Sequence, residues 1–208
     1  MAVPDLPVRR VGSHHDTVSM YCTEGAAEEA YRTVKARFHA INRWREMNDN
    51  IGTDFQLCGP TGEEVSRPPR EGDFIRIDLT GPGSPSGAGY DWVKITQLAE
   101  EDGDYPWAAM TVTPSGQPGE DGKTVAHFYQ KGATNTFLVR RVGGCILAEV
   151  HGRNEQPNTE KGPVLYRLRN QAVALVGKLG FGKVQWKDWT DGMVSVIEAD
   201  ADGDAGLE

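Results

Sequence analysis

The chain has 208 residues, 38% of them hydrophobic and 25% charged, which suits one packed core and is too apolar for a disordered chain. Five acidic side chains among the last eleven residues supply most of the formal net charge of −8, so the rest of the chain is nearly neutral. Because phosphate backbones and anionic lipid surfaces attract basic patches, this balance argues against nucleic acid and membranes as partners.

Three cysteines, Cys22, Cys58 and Cys145, are odd in number and widely spaced, unlike the disulfide framework of a small secreted domain. The first residues contain no apolar run typical of a signal peptide, and no later run has transmembrane length. We therefore expect buried thiols, a reducing compartment, a cytoplasmic location and no membrane insertion.

The first predicted elements are a short strand and a long helix. Residues 18–22 favour a strand, and Thr23 is a candidate N-cap followed by glutamates, which suit the positive end of a helix dipole. Apolar side chains then recur at spacings of three and four and predict an amphipathic helix of about six turns. These side chains are Ala27, Ala30, Tyr31, Val34, Phe38, Ile41 and Trp44.

The chain from 54 to 150 is typical of β structure. Turn-rich stretches separate the strand candidates, and Gly143-Gly144 predicts a two-residue hairpin turn. The candidates are residues 55–58, 74–79, 92–98, 107–112, 125–130, 136–141 and 145–150. This spacing predicts an antiparallel meander, and the alternation within 74–79 predicts a sheet with one solvated face.

A second apolar pattern predicts a long C-terminal helix that is interrupted at Gly180 and Gly182. Its apolar positions are Val164, Leu165, Leu168, Ala172, Leu175, Val176, Leu179, Trp186, Trp189, Met193 and Ile197. The predicted fold class is α+β, a strongly curved antiparallel sheet of six to seven strands flanked by an N-terminal helix and a long, broken C-terminal helix. We expect an N-terminal extension over 1–17, a single domain over 18–198 and a disordered acidic tail over 199–208.

The order of these elements over residues 18–198 resembles the helix-grip fold of the START and Bet v 1-like superfamily, which includes polyketide cyclase-like proteins. In that fold a curved sheet surrounds a long C-terminal helix and an apolar cavity. The resemblance implies a protein that binds lipids, steroids, hormones or polyketides, and a minority of members are enzymes. It rests on topology alone, so it implies no catalytic residue for this chain.

Familiar motifs fail on their spacing. Gly122-Lys123-Thr124 lacks the first glycine of a P-loop, and the 81–83 turn lacks the third glycine of a dinucleotide-binding loop. The alternating aspartates at 200–204 are not followed by the remaining ligands of a calcium loop. His14-His15 has no further ligand at a suitable spacing, so we predict neither a metal nor a cofactor.

Polar residues concentrate between the strand that ends at Val150 and the C-terminal helix. There His151 is a candidate acid or base and Arg153 a candidate ligand for a carboxylate, whereas turn and cap chemistry is the structural alternative that we favour. Aromatic residues with polar groups suggest two further stretches of pocket lining. The candidate ligand-binding residues are Tyr90, Asp91, Trp92, His127, Tyr129, His151, Arg153, Asn154 and Glu155.

Three functions stay open from sequence. The first is binding of a small apolar or amphipathic molecule between the sheet and the C-terminal helix. The second is a protein-interaction module, subunit or homo-oligomer with a filled core and an exposed apolar patch. The third is a cyclase- or hydrolase-like enzyme that uses His127 or His151 with a nearby carboxylate.

Overall fold

The computed structural model describes residues 4–47, 53–79, 87–119, 125–127, 129–156 and 186–195. Two helices lie between the first and second strands: α1 (Ala27–His39) and a 3-10 helix (Ile41–Met47). Residues 186–195 are also helical, as the spacing of Trp186, Trp189 and Met193 predicts. The strands are β1 (Ser13–Cys22), β2 (Thr53–Cys58), β3 (Phe74–Leu79), β4 (Asp91–Glu101), β5 (Trp107–Pro114), β6 (Thr134–Val142) and β7 (Cys145–Glu155).

The strands described form one seven-stranded, curled antiparallel sheet in the order β1-β7-β6-β5-β4-β3-β2. Sequential pairing from β2 to β7 is the predicted meander, and β1 crosses to pair with β7. The predicted hairpin turn is also confirmed, because Val142 pairs with Cys145 across Gly143, whose φ is 59°. The α+β fold class is therefore confirmed.

The strand predictions err mainly in length. The strand over 74–79 is confirmed at both ends, whereas β1 begins at Ser13, five residues before the predicted start and inside the predicted N-terminal extension. The strand predicted over 125–130 is wrong for the residues described there. His127 accepts a hydrogen bond from the backbone of Tyr129 at 3.0 Å, a local contact that competes with a strand ladder.

The long first helix is in fact two helices that meet at Ala40. Asn42 explains the break, because its side chain accepts a hydrogen bond from the Leu57 backbone at 2.6 Å and donates one to the Val65 carbonyl at 2.9 Å. The predicted N-cap is wrong as well: α1 begins after Ala26 without a side-chain cap. Trp44 donates to the carbonyls of Arg37 and Phe38 at the end of α1, where the Ala40 backbone also donates to the Arg37 carbonyl.

The main core lies between one face of the sheet, called here the inner face, and the helical segments. Phe38 and Trp44 meet Trp189 and Met193 there, over alternate residues of the strands such as Val150. The opposite, outer face was predicted to be solvated, but it carries two further buried clusters, one around Trp92 and one around Leu138. The sheet therefore buries apolar side chains on both faces.

Cys22 and Cys145 form a disulfide between β1 and β7, which corrects the expectation of free thiols for these two residues. They are direct cross-strand partners with Cα atoms 4.0 Å apart, a proximity that a separation of 123 residues in sequence conceals. Cys58 is a buried free thiol, as expected, and burial raises its pKa.

Several predicted features lie outside the described residues. They are the first part of the C-terminal helix over 164–179, its glycine break, Ile197, the 81–83 turn, Gly122-Lys123-Thr124 and the acidic tail. In the part of the chain that the structure describes, no helix has the length and apolar character needed to cross a membrane.

Candidate functional site

A small apolar cavity lies on the inner face, between the sheet and the helical segment 186–195. Its volume is about 30 Å³, room for a water-sized group. Eight of the side chains around it are apolar, and the polar ones are His127 and Asn135. The apolar lining consists of Trp44, Phe55, Ile75, Ile77, Val93, Val112, Phe137 and Trp186.

Aromatic rings close the cavity on the helical side. The ring of Trp186 packs edge-on against Phe137 with centroids 5.4 Å apart, and Trp189 packs on the same ring at 5.0 Å. Trp44 completes the group at 5.1 Å from Phe137. Trp186 is the residue of the helical segment 186–195 that lines the cavity. Its ring therefore forms the cavity wall on the side of that segment.

Asn135, one of the two polar residues that line the cavity, belongs to a row of residues that the strand register brings together. Asn135 of β6 pairs directly with Gly152 of β7, and Gly152 pairs directly with His15 of β1. These three positions form one row on the inner face, next to Val112 of β5. Since Gly152 has no side chain, the imidazole of His15 occupies the space above it: a Cβ added there would lie 2.0 Å from His15 Cε1.

A bulge in β7 adds Glu155 to this row. The register shifts between Ser13 and His15, and Asn154 has a φ of 57°, a left-handed conformation that Asn tolerates. Asn154 is held by the Val8 carbonyl and the Arg10 backbone, at 3.1 and 2.6 Å. The bulge places Glu155 opposite Ser13, and its Oε2 lies 3.3 Å from His15 Nδ1.

Three polar atoms in this row are buried and have no hydrogen-bond partner in the structure: Asn135 Oδ1, His15 Nε2 and Glu155 Oε1. The side chains of His15 and Glu155 are only 9% and 6% exposed. An unsatisfied buried polar group costs about 1–3 kcal/mol, so a cluster of them marks a place where a polar group of another molecule or a water binds.

Two predicted site residues adjoin this row. His127 lines the cavity and is buried, and its ring lies 5.9 Å from that of Tyr129. Burial and the nearby charge of Glu155, to which the Tyr129 hydroxyl donates a hydrogen bond, raise the pKa of Tyr129. His127 and Tyr129 thus connect the apolar cavity with Glu155.

The predicted stretch Tyr90-Asp91-Trp92 divides between the two faces of the sheet. Asp91 is buried and pairs with Ile77, a cavity residue, so it belongs to the inner face. Trp92 lies on the outer face and donates to the Gly87 carbonyl at 3.2 Å. Tyr90 packs beside it under the guanidinium of Arg76, 4.6 Å from the ring centroid.

His151 and Arg153 also lie on the outer face, away from the cavity. His151 Nδ1 is 2.6 Å from Asp16 and Nε2 is 3.0 Å from Glu149, so both ring nitrogens have carboxylate partners. Arg153 donates to Asp16 and to the His15 carbonyl, and Arg140 pairs with Glu149. These side chains form a closed charge network, which favours the structural interpretation of His151.

The pKa directions agree with this closed network. Burial alone would lower the pKa of His151, but the hydrogen bonds to Glu149 and Asp16 outweigh it and hold that pKa above its ordinary value. Burial acts to raise the pKa of the Asp16 and Glu149 carboxyls. The hydrogen bonds of these carboxyls to His151 and to the arginines outweigh burial, so both pKa values are lowered. The arrangement therefore favours the protonated, charged form of His151 between its two carboxylate partners.

The residues that sequence reasoning missed are Asn135 and Gly152, and it considered His15 only as a metal ligand. His14 and His15 point to opposite faces of β1, and His14 bonds to backbone groups of Arg10 and Asn154. No group of His, Cys, Asp and Glu side chains suited to a metal occurs within the described ranges. The register that brings His15, Gly152 and Asn135 together has no local signal in the sequence.

Neither the family models nor the curated proteins contain a match to this sequence. Similar solved structures include the hypothetical protein jhp0584 from Helicobacter pylori, with 10% identity over 94% of this chain and 99% of that one, at a TM-score of 0.46. A START superfamily protein from Mycobacterium smegmatis has 11% identity over 84% and 98% of the two chains, at 0.36. Ara h 8.0201 has 10% identity over 88% and 99%, at 0.35. Likeness at this level concerns the arrangement of elements and carries no argument about function.

Proposed function

We propose that this protein binds a small amphipathic molecule between the inner face of its sheet and the helical segment 186–195. The observation that carries the proposal is the composition of the cavity: apolar and aromatic walls with one buried acceptor, Asn135 Oδ1, left without a partner. Ligand sites are typically apolar with a few polar groups that fix orientation.

The volume of the cavity sets the mode of entry. At about 30 Å³ it does not hold an organic molecule while Trp186 packs on Phe137. A bicyclic aromatic compound matches the space that an indole leaves, so the ligand takes the place of the Trp186 side chain. Burial of the ligand's apolar area replaces the contacts that Trp186 gives up, and we expect a dissociation constant on the order of micromolar.

Calorimetric titration with 2-naphthol tests the proposal. We expect wild-type protein to bind one equivalent, and Trp186→Ala to bind about tenfold more tightly because no indole competes for the space. The matched control is Trp107→Ala, which removes a tryptophan from the outer face and leaves the affinity unchanged. Failure of the wild type to bind 2-naphthol or related bicyclic compounds contradicts the proposal.

A second function, self-association, is favoured by the edge strand β1. Val18 and Met20 project from its outer face, 45% and 61% exposed. The 4.0 Å separation of the Cys22 and Cys145 Cα atoms is that of a non-hydrogen-bonded pair, so alternate residues from Asp16 to Cys22 direct their backbone groups away from β7. β1 has neither lysine nor proline to block pairing, and two copies of it fit antiparallel with Val18 opposite Met20.

A further inference from the structure

We infer that the row of His15, Asn135 and Glu155 recognises a hydrogen-bond donor, a hydroxyl or amine, at the polar end of the bound molecule. This inference rests on the proposed function and specifies its ligand. It is carried by three buried atoms without partners that the register places side by side on the inner face, over a glycine.

The strand register and the missing side chain of Gly152 bring His15, Asn135 and Glu155 close together. Directly paired residues have Cβ positions about 5 Å apart, which places Asn135 beside the space above Gly152. The imidazole of His15 fills that space, since an added Cβ would lie 2.2 Å from His15 Nδ1, and Glu155 Oε1 lies at its edge, 2.8 Å from the same point. A polar head that reaches Asn135 from the cavity therefore approaches the neighbouring His15 and Glu155 side chains.

The chemistry of these atoms selects a donor. Asn135 Oδ1 and Glu155 Oε1 accept hydrogen bonds only. His15 Nδ1 lies beside Glu155 Oε2, and in the tautomer that donates to this carboxylate Nε2 is also an acceptor. A hydroxyl or amine can donate hydrogen bonds to these acceptors, whereas the negative charge of Glu155 would repel a carboxylate.

The guanidinium that the sequence suggested for a ligand carboxylate lies elsewhere. Arg153 is on the outer face and is occupied by Asp16, at 2.6 Å, and by two backbone carbonyls. No described cation lines the cavity. Both observations agree with a neutral or cationic head and disagree with an acidic one.

Four naphthalene derivatives of similar size test the inference: 2-naphthol, 2-naphthylamine, 2-methoxynaphthalene and 2-naphthoate. We expect wild-type protein to bind the two donors at least tenfold more tightly than the methoxy compound, because only they satisfy the buried acceptors, and to reject the carboxylate. Asn135→Leu should reduce the preference for the donors while it keeps affinity for the methoxy compound. Glu155→Gln should relieve the rejection of 2-naphthoate.

Thr136→Val is the matched control for Asn135→Leu, because the neighbouring Thr136 pairs with Thr111 and His151 on the outer face and should leave the selectivity unchanged. Equal binding of all four compounds by the wild type overturns the inference and leaves the proposed function intact, since the row then holds a buried water only. Binding of none contradicts the proposed function itself. The wild-type series decides the inference even where a variant fails to fold.

Discussion

His151 stabilises the fold through its two carboxylate partners. Its imidazolium connects Asp16 on β1 with Glu149 on β7, and each carboxylate also pairs with an arginine. Removing one member of a fully buried ion pair costs about 3–5 kcal/mol, and the cost is smaller here because the Asp16 side chain is 39% exposed. The network therefore stabilises the pairing of β1 with β7 as long as all its members are charged.

The sign of the pH dependence follows from the directions of the pKa shifts. Because the folded pKa of His151 is raised, its stabilisation is fully present below its unfolded pKa of about 6.5 and is lost as the pH rises through the folded value. The lowered pKa values of Asp16 and Glu149 mean that their contribution is present above about pH 4 and is lost in acid.

We predict that His151→Gln lowers the free energy of unfolding by about 2–4 kcal/mol at pH 6, and that the difference from wild type shrinks as the pH rises above neutrality. Urea unfolding between pH 5.5 and 9 measures this. His14→Gln is the control, because His14 bonds only to backbone groups. A constant difference across this range would refute the charged state that we assign to His151.

Elements with a strong local pattern could be predicted from the sequence, and those set by distant contacts could not. The 74–79 strand and the glycine hairpin have local signals and are confirmed. The break at Ala40 depends on the contacts of Asn42 with Leu57 and Val65, which no helical periodicity contains. The pairing of β1 with β7, and with it the row around Gly152, likewise depends on register across more than a hundred residues.

The disulfide between β1 and β7 gives a prediction about the stability of the fold. Cys22 and Cys145 close a loop across a separation of 123 residues, so their bond should stabilise the fold by about 2–5 kcal/mol. We expect Cys22→Ser combined with Cys145→Ser to lower the denaturant midpoint, and reductant to destabilise the wild type but not this double variant. Thiol titration of the unreduced, denatured wild type should find one free thiol, Cys58; three would mean that the bond does not form.

Our two proposals concern different places among the described residues, the cavity on the inner face and the exposed edge of β1. Sequence reasoning predicted the α+β class and an apolar site between sheet and C-terminal helix, and of its nine candidate residues His127 lies in the cavity lining and Glu155 in the polar row. It did not separate the two faces of the sheet, because alternation within one strand does not reveal which face the helices cover. Arg153 and His151 were therefore named as candidate pocket residues beside the favoured structural alternative, although they lie on the opposite face of the sheet from the cavity.

We predict that the wild type forms a concentration-dependent dimer through β1 and that Met20→Lys makes it monomeric, because two buried lysines would face the partner strand. Sedimentation velocity between about 5 and 200 µM measures the equilibrium. Val8→Lys, at an exposed apolar position outside β1, is the control. A wild type that stays monomeric over this range would exclude the edge-strand dimer.

A heteronuclear NMR titration of the labelled wild type with 2-naphthol tests whether a ligand binds between the sheet and the C-terminal helical segment. We expect chemical-shift changes to concentrate on the inner face, at Val93, Val112, Asn135 and Phe137, and on the indole N–H of Trp186, while Leu138 and Glu149 on the outer face stay unchanged. Saturable shifts restricted to the outer face or to β1, or no saturable shifts at all, would contradict a ligand site between the sheet and the C-terminal helical segment.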